Sequence, residues 1–259
     1  MGFNAQDITV RIGGTRIFAS SANASTSISQ QSIKILGNAL AQGQAPSGPQ
    51  ETTISIEYYI QGSDPVRSIC TTILGNPTSY PGAQIVIGGA TIPNCYLTSL
   101  SVSAEPQSLV TASCNFVSYQ PGISLIIGQG SSNNTPNANL KFAHGSAAGT
   151  TASVDNALGF QYEASFQWKP ILILGSNGAP LGQYTFDGGT ETLTVRGVGA
   201  GGLVSFCPDN SAASASIALL CGAGSSTTYS IINGSLTSAD ISADVGGFPE
   251  GSFTVTKQL

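Results

Sequence analysis

The sequence predicts a mainly β protein made of two tandem β-sandwich or half-barrel units, each flanked by one α-helix. Three observations carry that expectation. Short runs alternate apolar and polar residues with period two, the pattern of strands that bury one face. Gly, Pro, Asn and Ser clusters punctuate those runs as turns. Landmarks of the first half also recur in the same order about 139 residues later.

The repeat is clearest in "LTSLSVSAE" (97–105) and "LTSADISAD" (236–244). Over 97–119 and 236–258 only 6 of 23 residues are identical, yet the polar and apolar order holds. Ser113 meets Ser252, Cys114 meets Phe253 and Phe116 meets Val255. "SIKILG" (32–37) is answered by "PILILG" (170–175), each followed by a polar, Gly-rich stretch. "ETTISIEYYI" (51–60) is answered by "ETLTVRGVGA" (191–200), which sets Glu51 against Glu191. "SDPVRSICTTILG" (63–75) is answered by "CPDNSAASASIALLCG" (207–222). Four landmarks in one order predict an internal duplication into units 1–127 and 128–259. The polar segment 128–139 ("GQGSSNNTPNAN") serves as linker or loop, and a strand is expected to begin in "NANLKFAHG".

The elements follow in chain order. In "TTISIEY", Ile54, Ile56 and Tyr58 fall on one face and Thr53, Ser55 and Glu57 on the other. A helix is predicted next, with Ser63 or Asp64 as cap, Pro65 in the first turn and Gly75 as the stop. Val66, Ile69, Cys70, Ile73 and Leu74 share one face of it. Two alternating runs around "EPQS" predict a hairpin, with Leu100, Val102, Val110, Ala112, Cys114 and Phe116 on its apolar side. In the second unit the Ala- and Ser-rich stretch 211–218 is expected to be the matching helix, ended by Gly222. A second hairpin follows, with Ile241, Ala243, Phe253 and Val255 opposite Asp240, Ser242, Asp244, Ser252 and Thr254. Trp168 is expected to be a packing residue in the strand before "PILILG".

Composition narrows the function classes. Charged residues make up 8 % of the chain, against about a quarter in an ordinary soluble protein. Such a surface suits a chain largely covered by neighbours, as in an assembly or a secreted β protein. A net charge of −5 and scattered basic residues argue against a nucleic-acid grip. The five cysteines (Cys70, Cys95, Cys114, Cys207 and Cys221) are odd in number and form no CxxC, which points to free buried thiols. The amino terminus has no basic or apolar signal region, and no apolar run reaches membrane-spanning length.

Catalytic chemistry has little to stand on. His144 is the one histidine, and nothing nominates a nucleophile beside it. The thiols and that histidine do not cluster as a metal site, and no cofactor is expected. "GAGS" and "VGAGG" complete neither GK[ST] nor a dinucleotide fingerprint. Glu51 with Glu191, and Glu105 with Asp244, are paired across the repeat, which suits a shared structural role better than acid–base work. The polar faces of the hairpins either line a water-filled channel in a ring or form a solvated outer face.

"QETTISIEYYI", the helix "DPVRSICTTIL" and the hairpin "YLTSLSVSAEPQSLVTASCNFVSY" with its echo at 236–258 resemble the tube-forming tail proteins of bacteriophages and the related tube domains of baseplate hub proteins. The resemblance implies two tube-type domains per chain and a homotrimer that forms a pseudo-hexameric ring, stacking into a tail tube as a non-enzymatic virion protein assembled in the host cytoplasm. A baseplate hub or tube-initiator ring is the alternative within that class; a capsid decoration protein or receptor-binding adhesin is the alternative outside it. A glycan hydrolase would need an acidic pair within one unit, which is not found. Implied partners are other copies, other tail or baseplate proteins and a sheath protein, with DNA passing through unbound and no membrane involved. By that resemblance Ser99, Ser101, Ser103, Thr111, Ser113 and Asn115 face the lumen, as do Ser238, Asp240, Ser242, Ser252 and Thr254. The segments 38–50 and 176–190 match the family's ring-stacking loop, which nominates Gln42, Gly43, Gln44, Gly178, Gly182 and Gln183.

Overall fold

A computed structural model describes residues 8–34, 36, 43–106, 108–121, 123, 125, 147–150, 157–172, 180–198, 213–221, 225–245, 247 and 249–259. The first half contains β1 (Val10–Ile12), β2 (Thr15–Ile33), β3 (Gly43–Tyr59), α1 (Pro65–Gly75), a 3-10 turn (Pro77–Ser79), β4 (Ala83–Ile87), β5 (Ala90–Ala104) and β6 (Thr111–Ser118). The second contains β7 (Ala147–Thr150), β8 (Ala157–Leu172), β9 (Pro180–Val198), β10 (Ala213–Cys221), β11 (Ser225–Ser242) and β12 (Glu250–Gln258). The fold is mainly β, as expected.

All the paired strands are antiparallel, in the order β4-β1-β2-β3-β6-β5-β8-β9-β12-β11-β10-β7. β4 also bonds to β5, so the first six strands close into a barrel. The second six run β8-β9-β12-β11-β10-β7, which is the order β2-β3-β6-β5-β4-β1 of the first. Detail repeats as well as order. A register shift falls between Leu97 and Ser99 in β5, and between Leu236 and Ser238 in β11. At each bulge the skipped threonine bonds across the hairpin: Thr98 Oγ1 donates to Asn115 O at 3.0 Å and Thr237 Oγ1 to Thr254 O at 3.2 Å. The turns match too, with Ser108 N donating to Glu105 O and Gly247 N to Asp244 O.

The two sets meet where β5 pairs with β8, from Ser99 opposite Ser165 to Ala104 opposite Phe160. One apolar cluster runs under both, including Ile54, Ile56, Leu100, Val102, Cys114 and Phe116 on one side and Phe160, Tyr162, Leu193, Val195, Phe253 and Val255 on the other. Each such side chain contributes about 1.5–3 kcal/mol on burial. Trp168 crosses the boundary, its indole Nε1 donating to Leu97 O at 2.8 Å while the ring packs on Tyr96. It is the packing residue that the sequence suggested.

The first helix forms as read. Asp64 caps it by accepting from Val66 N, Pro65 opens it, and Val66, Cys70 and Ile73 are buried. The second helix is absent over 213–218, which belong to β10. Ala215, Ile217 and Leu219 are buried while Ser214, Ser216 and Ala218 are less so, a period of two that pairs with β11 at Ile217 and Tyr229. Alanine's helix propensity is overridden by that pairing. Register also corrects one repeat pair: Thr52 opposite Ser118 corresponds to Glu191 opposite Lys257, so Thr52, rather than Glu51, is the counterpart of Glu191. Residues 128–139, His144 and 207–212 lie outside the described residues.

Candidate functional site

The eleven residues expected to face a lumen all lie on one face of one sheet. In β5 and β6, Ser99 stands opposite Asn115, Ser101 opposite Ser113 and Ser103 opposite Thr111. In β11 and β12, Ser238 stands opposite Thr254, Asp240 opposite Ser252 and Ser242 opposite Glu250. Because side chains alternate along a strand, every second residue shares a face with these. The β5–β8 pairing makes the two hairpins parts of one continuous sheet.

Rows of polar residues therefore cross from one set to the other. One row runs Asn23, Ser55, Asn115, Ser99, Ser165, Thr190 and Gln258 across seven strands. The next runs Ser21, Glu57, Ser113, Ser101, Glu163, Thr192 and Thr256. A third runs Thr111, Ser103, Gln161, Thr194, Thr254 and Ser238. Hydroxyls and amides bond to one another along the face. Asn115 Nδ2 donates to Ser99 Oγ at 2.8 Å, Ser165 and Thr190 hydroxyls meet at 2.8 Å, and those of Thr194 and Thr254 at 3.0 Å. Such cross-strand pairs fix the face and offer hydroxyl oxygens to water.

These three rows hold two carboxylates, Glu57 and Glu163, and no cation. Beside them Asp240, Ser252 and Arg196 form a fourth row, and Arg196 Nη2 lies 3.4 Å from Glu105 Oε1 in an exposed pair. Ser25, Thr53, Asn115, Tyr119 and Gln167 help line a shallow depression of about 540 Å³ on this face. Gln161, Glu163, Thr190, Thr192 and Thr194 were not picked out from sequence. The alternation in "FQYEASFQW" (160–168) carries the signal for β8, but its membership of this face depends on the long-range β5–β8 pairing.

The nominated stacking residues are differently placed. Gly43 and Gln44 are in β3, exposed, opposite Ile33 and Ser32 of β2. Gly182 and Gln183 are in the backbone of β9, whereas Gln42 and Gly178 lie outside the described residues. The expected loops are thus paired ribbons over 43–50 and 180–190, because backbone groups of an extended segment find partners in the adjacent strand.

A buried polar cluster ties α1 to the second set of strands. Arg67 Nη1 lies 3.3 Å from Glu191 Oε1 and also donates to the Tyr162 hydroxyl; its Nε and Nη2 donate to Thr228 O and Ser230 O, each at 3.2 Å. Burial opposes the Arg67 charge, yet Tyr162, Cys70 and Glu191 hold the guanidinium above its ordinary value. Asp64 accepts from Tyr58 at 2.7 Å, from Tyr229 at 2.8 Å and from Val66 N at 2.9 Å. These groups satisfy one another and line none of the three cavities described, which makes the cluster a clamp. Cys70, Cys95 and Cys114 are free and buried, as the cysteine count suggested. Among the described residues no three or more His, Cys, Asp and Glu come together as metal ligands, and no helix is long and apolar enough to cross a membrane. The sequence matches no protein-family model and no curated protein.

Proposed function

We propose that this chain is a non-enzymatic structural subunit of a virion tail, three copies of which close into a pseudo-six-fold ring that stacks into a tube for DNA passage. One observation carries the proposal. Two six-strand sets with the same order are joined edge to edge into a single sheet, apolar on the side facing the core and mostly polar on the other, where Phe18, Tyr59 and Val117 interrupt the polar rows. A closed ring of such sheets leaves that polar face either inside or outside. Hydroxyl and amide groups with a few carboxylates suit the inside, where they hold water and repel phosphates instead of gripping them. Other tail or baseplate proteins would then meet the two ring faces, where the β2–β3 ribbon is exposed.

Light scattering of the purified protein tests the assembly. The expected mass is three times the chain's 26.2 kDa, or multiples of it where rings stack. Discrete rings that never stack favour an initiator or hub ring within the same class. A monomer that persists at high concentration would remove the proposal.

A further inference from the structure

The seam inside the chain indicates how one copy meets the next. β5 uses its outer edge to pair with β8, so Ser101 stands opposite Glu163, and Val102 opposite Tyr162. By the shared bulge, β5 residues Ser101 and Val102 correspond to Asp240 and Ile241 of β11. By their pairing with β3 and β9, Tyr162 and Phe160 of β8 correspond to Ala24 and Ala22 of β2. Among the described residues, β2 has a neighbour on one side only beyond β1 at its start, and the outer edge of β11 from Thr237 onward has none. Unpaired edges of this length invite a further strand.

Burial follows the same logic. Val102 is 0 % exposed, whereas its counterpart Ile241 is 62 % exposed. Phe166 is 3 % exposed, whereas its counterpart Ile28 is 46 % exposed. Beside β2, Val10, Ala19, Ala22, Ala24, Ile87 and Ile92 line an apolar groove of about 500 Å³. Its counterpart in the second set is filled by Phe160, Tyr162 and Tyr229 and covered by Arg67 of α1 and by Asp64, the residue that caps it. Small residues on β2 thus leave room for apolar groups supplied from outside. The stretch between β9 and β10 holds the place in the chain that α1 holds between β3 and β4. It carries Leu203, Val204 and Phe206, with no charge from 199 to 207.

We propose that the outer edge of β11 in one copy pairs antiparallel with the outer edge of β2 in a second copy, Asp240 opposite Ser25 and Ile241 opposite Ala24, and that this second copy also covers the groove beside β2. The inference rests on the ring assembly proposed above and specifies its interface.

Cysteines test the register. Directly opposed strand residues have Cβ atoms close enough for a disulfide, whereas residues on opposite faces do not. Oxidised Ser25→Cys/Asp240→Cys protein is expected to run as covalent dimers and trimers on a non-reducing gel. Thr26→Cys/Asp240→Cys protein is expected to remain uncrosslinked. Trimers by light scattering without covalent products would overturn the interface and leave the ring standing. A covalent ladder beyond three would support the interface and overturn the closed ring, and a monomer would overturn both. Ile241→Lys provides a second test, since Ile241 is exposed in the single chain and its replacement leaves the fold intact. Circular dichroism should match that of the unaltered protein while light scattering reads a monomer; a trimer would contradict the interface.

Discussion

Arg67 on α1 and Glu191 on β9 form a buried ion pair that joins elements 124 residues apart, with Nη1 and Oε1 separated by 3.3 Å. Removing one member leaves the other charged and enclosed. Arg67→Met or Glu191→Leu alone should lower unfolding stability by about 3–5 kcal/mol, and the double replacement should lose less than the sum. Urea unfolding measures all three. Single variants within about 0.5 kcal/mol of the parent would show that the pair is not enclosed in solution.

Asp64 gives a pH dependence of defined sign. Burial raises its pKa above the ordinary 3.8, against the opposing effect of hydrogen bonds from Tyr58, Tyr229 and the backbone. A carboxyl group whose folded pKa is raised favours folding fully below its unfolded value, and that contribution is lost as pH rises through the folded one. The stability of the parent relative to Asp64→Asn should therefore fall as pH rises from below 3.8. Parallel urea titrations at several pH values follow this difference; a rise over the same range would mean that the hydrogen bonds outweigh burial.

The buried thiols should be slow to react. Burial pushes Cys70 up to about 11 and Cys95 up to about 12, and raises Cys114 as well. At pH 8 the thiolate, which is the reactive form, is scarce at all three. Mass-mapped alkylation should label these cysteines only after denaturant is added. Rapid labelling of Cys114 in native protein would show that the barrel core opens readily.

Charge on the polar face should decide whether DNA sticks. The unaltered protein is expected not to retard DNA at about 50 mM salt, because phosphate binding needs clustered cations. Ser103→Arg combined with Thr111→Arg, neighbours across β5 and β6 in a row without a carboxylate, should create retardation that disappears as salt rises. Retardation by the unaltered protein would contradict a non-binding face.

Local patterns were legible in the sequence where a strand buries one side. Ile54, Ile56, Leu100, Val102, Cys114 and Phe116 alternate with polar residues and are buried as read. The strand pairs 97–104 with 111–118, and 236–242 with 250–258, formed in matching registers. The failures have one physical source, which is that tertiary pairing outranks local preference. Ala213–Cys221 looks helical by composition, yet β11 supplies its hydrogen bonds. Gly43–Gln50 looks like a loop, yet β2 pairs along it. The union of the two hairpins into one polar face depends on β5 meeting β8, a contact without a local signature. Arg67 reads as an ordinary helix residue until Tyr162 and Glu191 enclose it.

The most direct test of the whole account is an image. Negative-stain electron microscopy of the purified protein should show rings with a central hole, three-fold averages with six lobes, or tubes built from such rings. Compact particles with no central hole, at concentrations where light scattering reports a uniform species, would contradict the ring and with it the role of the polar face as a channel lining.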